Sequence, residues 1–210
     1  MRLLLAGASG LVGREVLRLA LREPAISAVV APTRRPLAAA ARLENPLVDY
    51  EHLPADAPWW RVDAAICTLG TTMALAGSQA AFRRVDHDYV LALARLALAG
   101  GARAFVLNSA LGADVHSRVF YNRVKGEVEA ALAALGYASL TLLRPSLLDG
   151  GPRPARRRAE EVALWFARRL RPVIPARYRA VTTEAVARRL LAAALAAPPG
   201  IQIVESERIP

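Results

Sequence analysis

Short apolar runs alternate along this chain with longer stretches of helical periodicity, and few folds accommodate that alternation. "RLLLA" (2–6), "SAVVAP" (27–32), "PLVDY" (46–50), "DAAICTLG" (63–70), "RAFVLNS" (103–109), "SLTLLRP" (139–145) and a final "IQIVES" read as strands. Runs that are apolar at nearly every position belong to strands buried on both faces, as in a parallel sheet wrapped by helices. Helices are expected at 11–21, 79–99, 119–135, near 156–171 and near 183–196. Val12, Val16, Leu19 and Ala20 share one face of the first, and Pro24 marks its end. Phe82, Val85, Tyr89, Leu93 and Leu96 line the second, which stops at Gly100-Gly101. The expected fold is α/β, a doubly wound parallel sheet in one domain over 1–210. Its core would reach to about residue 148, with a small C-terminal lobe after "DGGPRP".

A single cysteine, Cys67, excludes an intramolecular disulfide and is expected to be an inert core thiol. Three scattered histidines form no metal-ligand cluster, so no metal is expected. Both observations fit a reducing cytoplasm. "MRLLLAGASGLVG" lacks the cleavage site of a secretory signal and is read as mature structure, and no uncharged apolar run is long enough to span a membrane. The net charge of +10 is uneven, because 11 of the arginines fall in residues 153–189 against Glu160, Glu161 and Glu184. We read that segment as a solvated face without a specific nucleic-acid role, the nucleic-acid alternative resting on charge alone.

"GASGLVG" places Gly7, Gly10 and Gly13 between the first strand and the first helix. Glycines there let the backbone turn tightly, approach a pyrophosphate and pack helix on strand, while the helix N-terminus offers free N–H groups to the anion. Gly7, Ser9, Gly10, Leu11, Val12 and Gly13 are therefore the candidate pyrophosphate-binding residues. Dinucleotide sites carry an acid about 20 residues further on for a ribose 2′-hydroxyl, or arginine for a 2′-phosphate. Between Glu23 and Glu44 there is no acid, and the second strand runs into "TRRP". Arg34 and Arg35 match a phosphate dianion in charge and fork geometry, which favours NADP(H) over NAD.

Lys125 is the only lysine among 28 basic side chains. Four residues from Tyr121 on a helix, it shares that residue's face. A fixed ammonium favours the phenolate, which suits a phenol that exchanges a proton with a carbonyl or an alcohol. Ser109 ends the fifth strand, at the sheet edge where ligands of this architecture bind. Asp86 and Asp88, mid-helix beside His87, are expected in charge or capping roles. Trp59-Trp60 reads as loop packing, with stacking on an adenine as the alternative for Trp60.

"GASGLVG", "NSALGAD", "YNRVKGEVE" and "LLRPSLL", in this order, resemble the short-chain dehydrogenase/reductase superfamily. "CTLGTT", "RRVDHDYVLALARLALAGGARAF" and "IPARYRAVTTEAVARRLL" with "GIQIVES" are similar to its atypical, Tat-interacting-protein-like branch. The resemblance implies that Gly7, Gly10 and Gly13 hold a pyrophosphate and that Arg34 and Arg35 hold the 2′-phosphate. It implies that Ser109, Tyr121 and Lys125 are the catalytic set, with Lys125 also on the ribose. Leu69 and Gly70 would lie along the cofactor, and Pro145 would border the nicotinamide. Two departures bear on substrate orientation: "CTLGTT" replaces an Asn-Ala-Gly element, and "NSALGAD" has one serine where relatives often have two.

The expected function is NADPH-dependent reduction of a small carbonyl compound by Ser109, Tyr121 and Lys125, the alternative being a non-catalytic NADPH-sensing regulator of the same fold. The substrate pocket would be lined by Leu164, Trp165, Val173, Ile174 and Tyr178. Both a monomer and a homodimer are compatible with the sequence.

Overall fold

The computed structural model describes residues 1–149 and 175–209. Its main sheet has seven parallel strands: β1 (Arg2–Ala6), β2 (Ala28–Val30), β3 (Leu43–Glu44), β4 (Ala64–Cys67), β5 (Ala104–Asn108), β6 (Ser139–Arg144) and β9 (Gly200–Glu205). Two short strands, β7 (Leu148–Asp149) and β8 (Val181–Thr182), pair apart from it. The spatial order is β3-β2-β1-β4-β5-β6-β9. The chain therefore leaves β1 toward one edge and returns to β4 on the other side. Such a reversal opens a crevice at the carboxyl ends of the two central strands, where α/β sheets bind ligands.

β1 shows why the strands are apolar throughout. Leu3 and Leu5 face a core shared with α1 (Leu11–Ala20) and the helix Thr183–Ala196. Leu4 and Ala6 face the opposite core, with Val90, Leu93 and Val128. α1 buries Val12, Gly13, Val16 and Ala20, the stripe of its inner face.

Three expectations are corrected. The third strand is not at 46–50 but at Leu43–Glu44, and only an isolated bridge joins Thr33 to Leu47. Pro46 has no N–H to donate, and Asn45 diverts the chain: its side chain accepts from Leu37 N and donates to Ala31 O and Thr33 Oγ1. A short helix, α2 (Met73–Ala76), capped by Thr72 and ended by Gly77 at φ +75°, was not foreseen.

The third correction concerns 79–99. It divides into α3 (Gln79–Arg83), a π-helical turn (Arg84–Asp88) and α4 (Tyr89–Ala99). The wider turn moves the buried line from Val85 and Tyr89 to Asp86 and Val90. α5 (Phe120–Ala133) and α6 (Thr183–Ala196) lie close to their expected positions. The helix expected at 156–171, and Leu164, Trp165, Val173 and Ile174, lie outside the described residues. No helix among the described residues is long and apolar enough to cross a membrane.

Candidate cofactor and active site

β1 delivers the chain into the glycine turn at the head of the crevice. Gly7 has φ +84°, and its carbonyl accepts from Gly10 N at 2.9 Å. Gly10 caps α1 with no side-chain hydrogen bond, so the first N–H groups of the helix have no capping acceptor. A Cβ on Gly13 would lie 2.0 Å from Gly7 O, and one on Gly7 would lie 2.7 Å from Thr68. Helix, turn and the loop after β4 thus meet backbone to backbone, a contact that only glycine permits. Ser9 and Leu11 are exposed while Val12 is buried, and Ser9 O accepts from Arg14 Nε at 2.8 Å.

Arg34 and Arg35 are exposed just beyond β2, at the same edge of the sheet. Thr33 Oγ1 donates to Arg35 O at 2.6 Å and fixes their backbone. Neither guanidinium is engaged by an acid among the described residues, so both are available to an anion. Trp60 is at the other end of the molecule. It precedes β4, is buried, and donates Nε1–H to Pro54 O at 2.7 Å. A Cβ on Gly100 would sit 2.1 Å from its carbonyl. This tryptophan packs the amino ends of the strands, away from any adenine.

From Thr68 the loop after β4 runs through half-buried Leu69 and exposed Gly70 toward α5. A Cβ on Gly70 would stand 3.2 Å from Asp86 Oδ1 and 3.9 Å from Lys125 Nζ. Lys125 is 3% exposed and Asp86 1%, and Nζ lies 2.8 Å from Asp86 Oδ1. The second carboxylate oxygen accepts from Thr71 N at 2.8 Å. Burial works against the Lys125 charge, but the Asp86 carboxylate and Tyr121 beside it outweigh burial and raise its pKa above the ordinary lysine value. Tyr121, one turn back on α5, is half-buried with its ring 5.4 Å from that of Phe82.

Ser109 follows β5 and is anchored by donating its N–H to Leu143 O at 2.7 Å. Its hydroxyl donates to Glu129 Oε1 at 2.5 Å. Glu129 lies one turn beyond Lys125 on the same face of α5 and is buried. Arg144, from the end of β6, binds it at 2.6 Å and also reaches Glu205 at 3.0 Å. Facing that guanidinium, Glu129 accepts and Ser109 must supply the proton. The loop between β5 and α5 lies directly on the helix, because a Cβ on Gly126 would be 2.3 Å from Asp114 C and Val115 N. Pro145, buried, holds the same loop through its carbonyl and Leu111 N at 2.9 Å.

The structure thus brings the glycine turn, Leu69, Gly70, Lys125 and Tyr121 into one continuous line. Ser109 joins α5 through Glu129. Sequence reasoning gave Asp86 only a charge or capping role and passed over Glu129 and Arg144. Spacing could have found Glu129, which continues the four-residue step of Tyr121 and Lys125, whereas Asp86 is brought inward by the π turn. Cys67 is a buried thiol pushed up to about 12 by burial, as an inert core residue should be.

A parallel sheet that reverses at a glycine turn, with a Tyr-x-x-x-Lys helix beside the crevice, defines the NAD(P)-binding Rossmann proteins of the short-chain dehydrogenase/reductase type. Solved structures agree on the fold. MoeE5 in complex with UDP-glucose and NAD superimposes with a TM-score of 0.72 at 19% identity, covering 100% of this chain and 79% of that one. Human epimerase family protein SDR39U1 with NADPH gives 0.63 at 15% identity, covering 98% and 74%.

Sequence comparison is narrower. The mitochondrial protein fmp52 of Emericella nidulans is 36% identical over 173 residues, 78% of this chain and 73% of that protein. Protein HTATIP2 of Rattus norvegicus is 42% identical over 147 residues, 68% of this chain and 60% of that protein. No protein-family model matches the chain. The chain belongs to the family of atypical short-chain dehydrogenase/reductase-like proteins that includes Fmp52 and HTATIP2.

The relatives also overturn the expected cytoplasmic location. The Fmp52 proteins of Emericella nidulans, Eremothecium gossypii and Aspergillus fumigatus are named as mitochondrial. A lone buried thiol and a missing membrane span describe any reducing compartment, so those features never separated the two.

Proposed function

We propose that this protein is an NADP(H)-dependent oxidoreductase that reduces a small carbonyl compound. The observation that carries the reading is the Tyr121–Lys125 pair on the inner face of α5, with the lysine buried, charged and reached from Gly70. The residues fit a dinucleotide. The uncapped start of α1 offers N–H donors to a pyrophosphate, the glycine contacts let it approach, and Arg34 and Arg35 supply charge for a 2′-phosphate. When bound, such a cofactor supplies the hydride. The chain's own residues do the rest. Tyr121 gives its phenolic proton to the carbonyl oxygen, and Lys125 stabilises the phenolate left behind. Pro145 and the loop it holds close one wall of the crevice.

A second reading has an observation in its favour. The Ser109 hydroxyl is directed to Glu129, which leaves it able to accept a hydrogen bond in the crevice but not to donate one to a carbonyl. That is compatible with a protein that binds NADP(H) and signals without turnover.

Titration with NADPH and NADH, followed by a carbonyl panel, separates the readings. NADPH should bind about a hundredfold more tightly, and Arg34→Ala with Arg35→Ala should remove most of that gap, each charged contact contributing about 1.5–3 kcal/mol. Tyr121→Phe should abolish turnover while leaving NADPH affinity unchanged. Equal affinity for the two cofactors would defeat the NADP assignment, and a wild type that binds NADPH yet reduces nothing would favour the regulator.

A further inference from the structure

The mechanism above uses Lys125 as a cation without saying what keeps it one. An ammonium removed from water loses its proton unless an anion faces it, and buried lysines without a partner drop by several pKa units. Around Nζ stand Asp86 from the π turn, Tyr121 from α5 itself and Cys67 from β4. Cys67 is a neutral thiol at any ordinary pH, since burial pushes it up to about 12. The other acid on this face of α5, Glu129, is taken by Arg144.

We propose that Asp86 is the positioning residue of the active site, acting through Lys125: it keeps the ammonium charged and fixes its depth beneath Gly70. Three features of the geometry assign the role. The π turn is the local departure that brings Asp86 into the buried line of the helix. One carboxylate oxygen is bound by Thr71 N–H, from the very loop that carries Leu69 and Gly70, so the other presents to Nζ in a fixed direction. Gly70 has no side chain to cover the pair. The loop after β4, the helix before α4 and the Tyr-Lys face of α5 are thereby tied at one carboxylate. The catalytic consequence rests on the cofactor-binding reading above, whereas the charge-holding role does not.

Lys125 being the sole lysine makes the test direct, because protein grown on ¹³C,¹⁵N-lysine has one side-chain signal to follow. In the wild type that signal should stay that of an ammonium from pH 5 to 9, since Asp86 holds the pKa above that of an ordinary lysine. Asp86→Asn keeps an oxygen for Thr71 N–H and removes only the charge, and its lysine signal should titrate within that range. NADPH affinity of this variant should match the wild type at pH 6 and fall about tenfold by pH 9, as the ammonium is lost. A merely structural change would weaken binding by one factor at every pH.

A lysine in Asp86→Asn that titrates like the wild type, or a flat pH profile of weakened binding, would overturn the proposal. Should Asp86→Asn fail to fold, the wild type decides alone. Its Nζ protons should be visible in slow exchange at pH 8, and fast exchange or a neutral amine would refute the role. A wild type that binds neither NADPH nor NADH, with the lysine spectra as expected, would remove the cofactor reading and support the Asp86 assignment.

Discussion

At Gly7, Gly10 and Gly13 the turn meets the crevice with backbone. On α5 the same crevice meets long side chains, each answered by a partner from another element: Lys125 by Asp86, and Glu129 by Arg144 and Ser109. The two regions are continuous through Thr68, Leu69 and Gly70. The turn is built by omission, since at Gly7 and Gly13 a single added carbon would strike backbone. It is rigid because little there has rotamers to lose. The face of α5 is built by compensation, since buried charges hold position only while their counter-charges do. Substitutions in the turn should therefore act as steric faults, insensitive to pH and salt. Those on α5 should act as electrostatic faults that a neutral replacement of both partners can repair.

Gly13→Ala is the most severe test of that contrast. Its Cβ would sit 2.0 Å from Gly7 O, and backbone on both sides must move. The expected loss is about 3 kcal/mol or more, a fall in Tm of roughly 6–12 °C for a chain of this size. It should be the same at low and high salt. A variant that melts with the wild type would mean that helix and turn do not touch as described.

Arg144→Met comes next. It removes the main counter-charge of Glu129, and we expect a loss of about 2 kcal/mol, short of that for a fully buried pair because Arg144 is 20% exposed. Thermal melts of Arg144→Met, Glu129→Gln and the double variant check it. Repair in the double variant supports compensation, and simple addition of the two losses would show that the partners act independently.

Ser109→Ala should cost least, about 1 kcal/mol for one hydrogen bond, because Arg144 still satisfies Glu129. If denaturant midpoints show a loss above that of Arg144→Met, then Ser109 rather than Arg144 is the chief support of Glu129.

The same contrast explains what could be read from the sequence. Six of the seven expected strands, the helices at 11–21, 119–135 and 183–196, the glycine turn and the Tyr121–Lys125 spacing are local patterns, and these stand close to where periodicity and glycine spacing put them. The third strand was misplaced because two-residue Leu43–Glu44 has too few positions for any alternation, and because Asn45 bonds from its side chain in a way no hydropathy pattern reveals. Asp86 reads as a charge or cap from the sequence since an unbroken α-helix from 79 to 99 would put Val85 and Tyr89 inward. The π turn that puts Asp86 there is stabilised by tertiary partners, Lys125 and Thr71, which lie 39 and 15 residues away in the chain. Glu129 shares the four-residue step of Tyr121 and Lys125, but its pairing with Arg144 is visible only once β6 lies beside α5.

The wide turn at Arg84–Asp88 makes the chain sensitive here to length as well as to composition. Such a turn holds one residue more than the α-helical turn it replaces, so Phe82 on one flank and Val90 on the other both stay inward while the extra residue is absorbed between them. α4 is anchored in the core by Val90, Leu93, Ala94 and Ala97 and α3 by Phe82, so loss of one codon within the turn would fall on the placement of Asp86 and not on either flank. Removing Arg84 or Val85 in this way alters no residue of the crevice, yet it would change where the Asp86 carboxylate stands against Lys125. Comparisons of related genes that count only substitutions would miss it, because what is inherited at this point is a spacing.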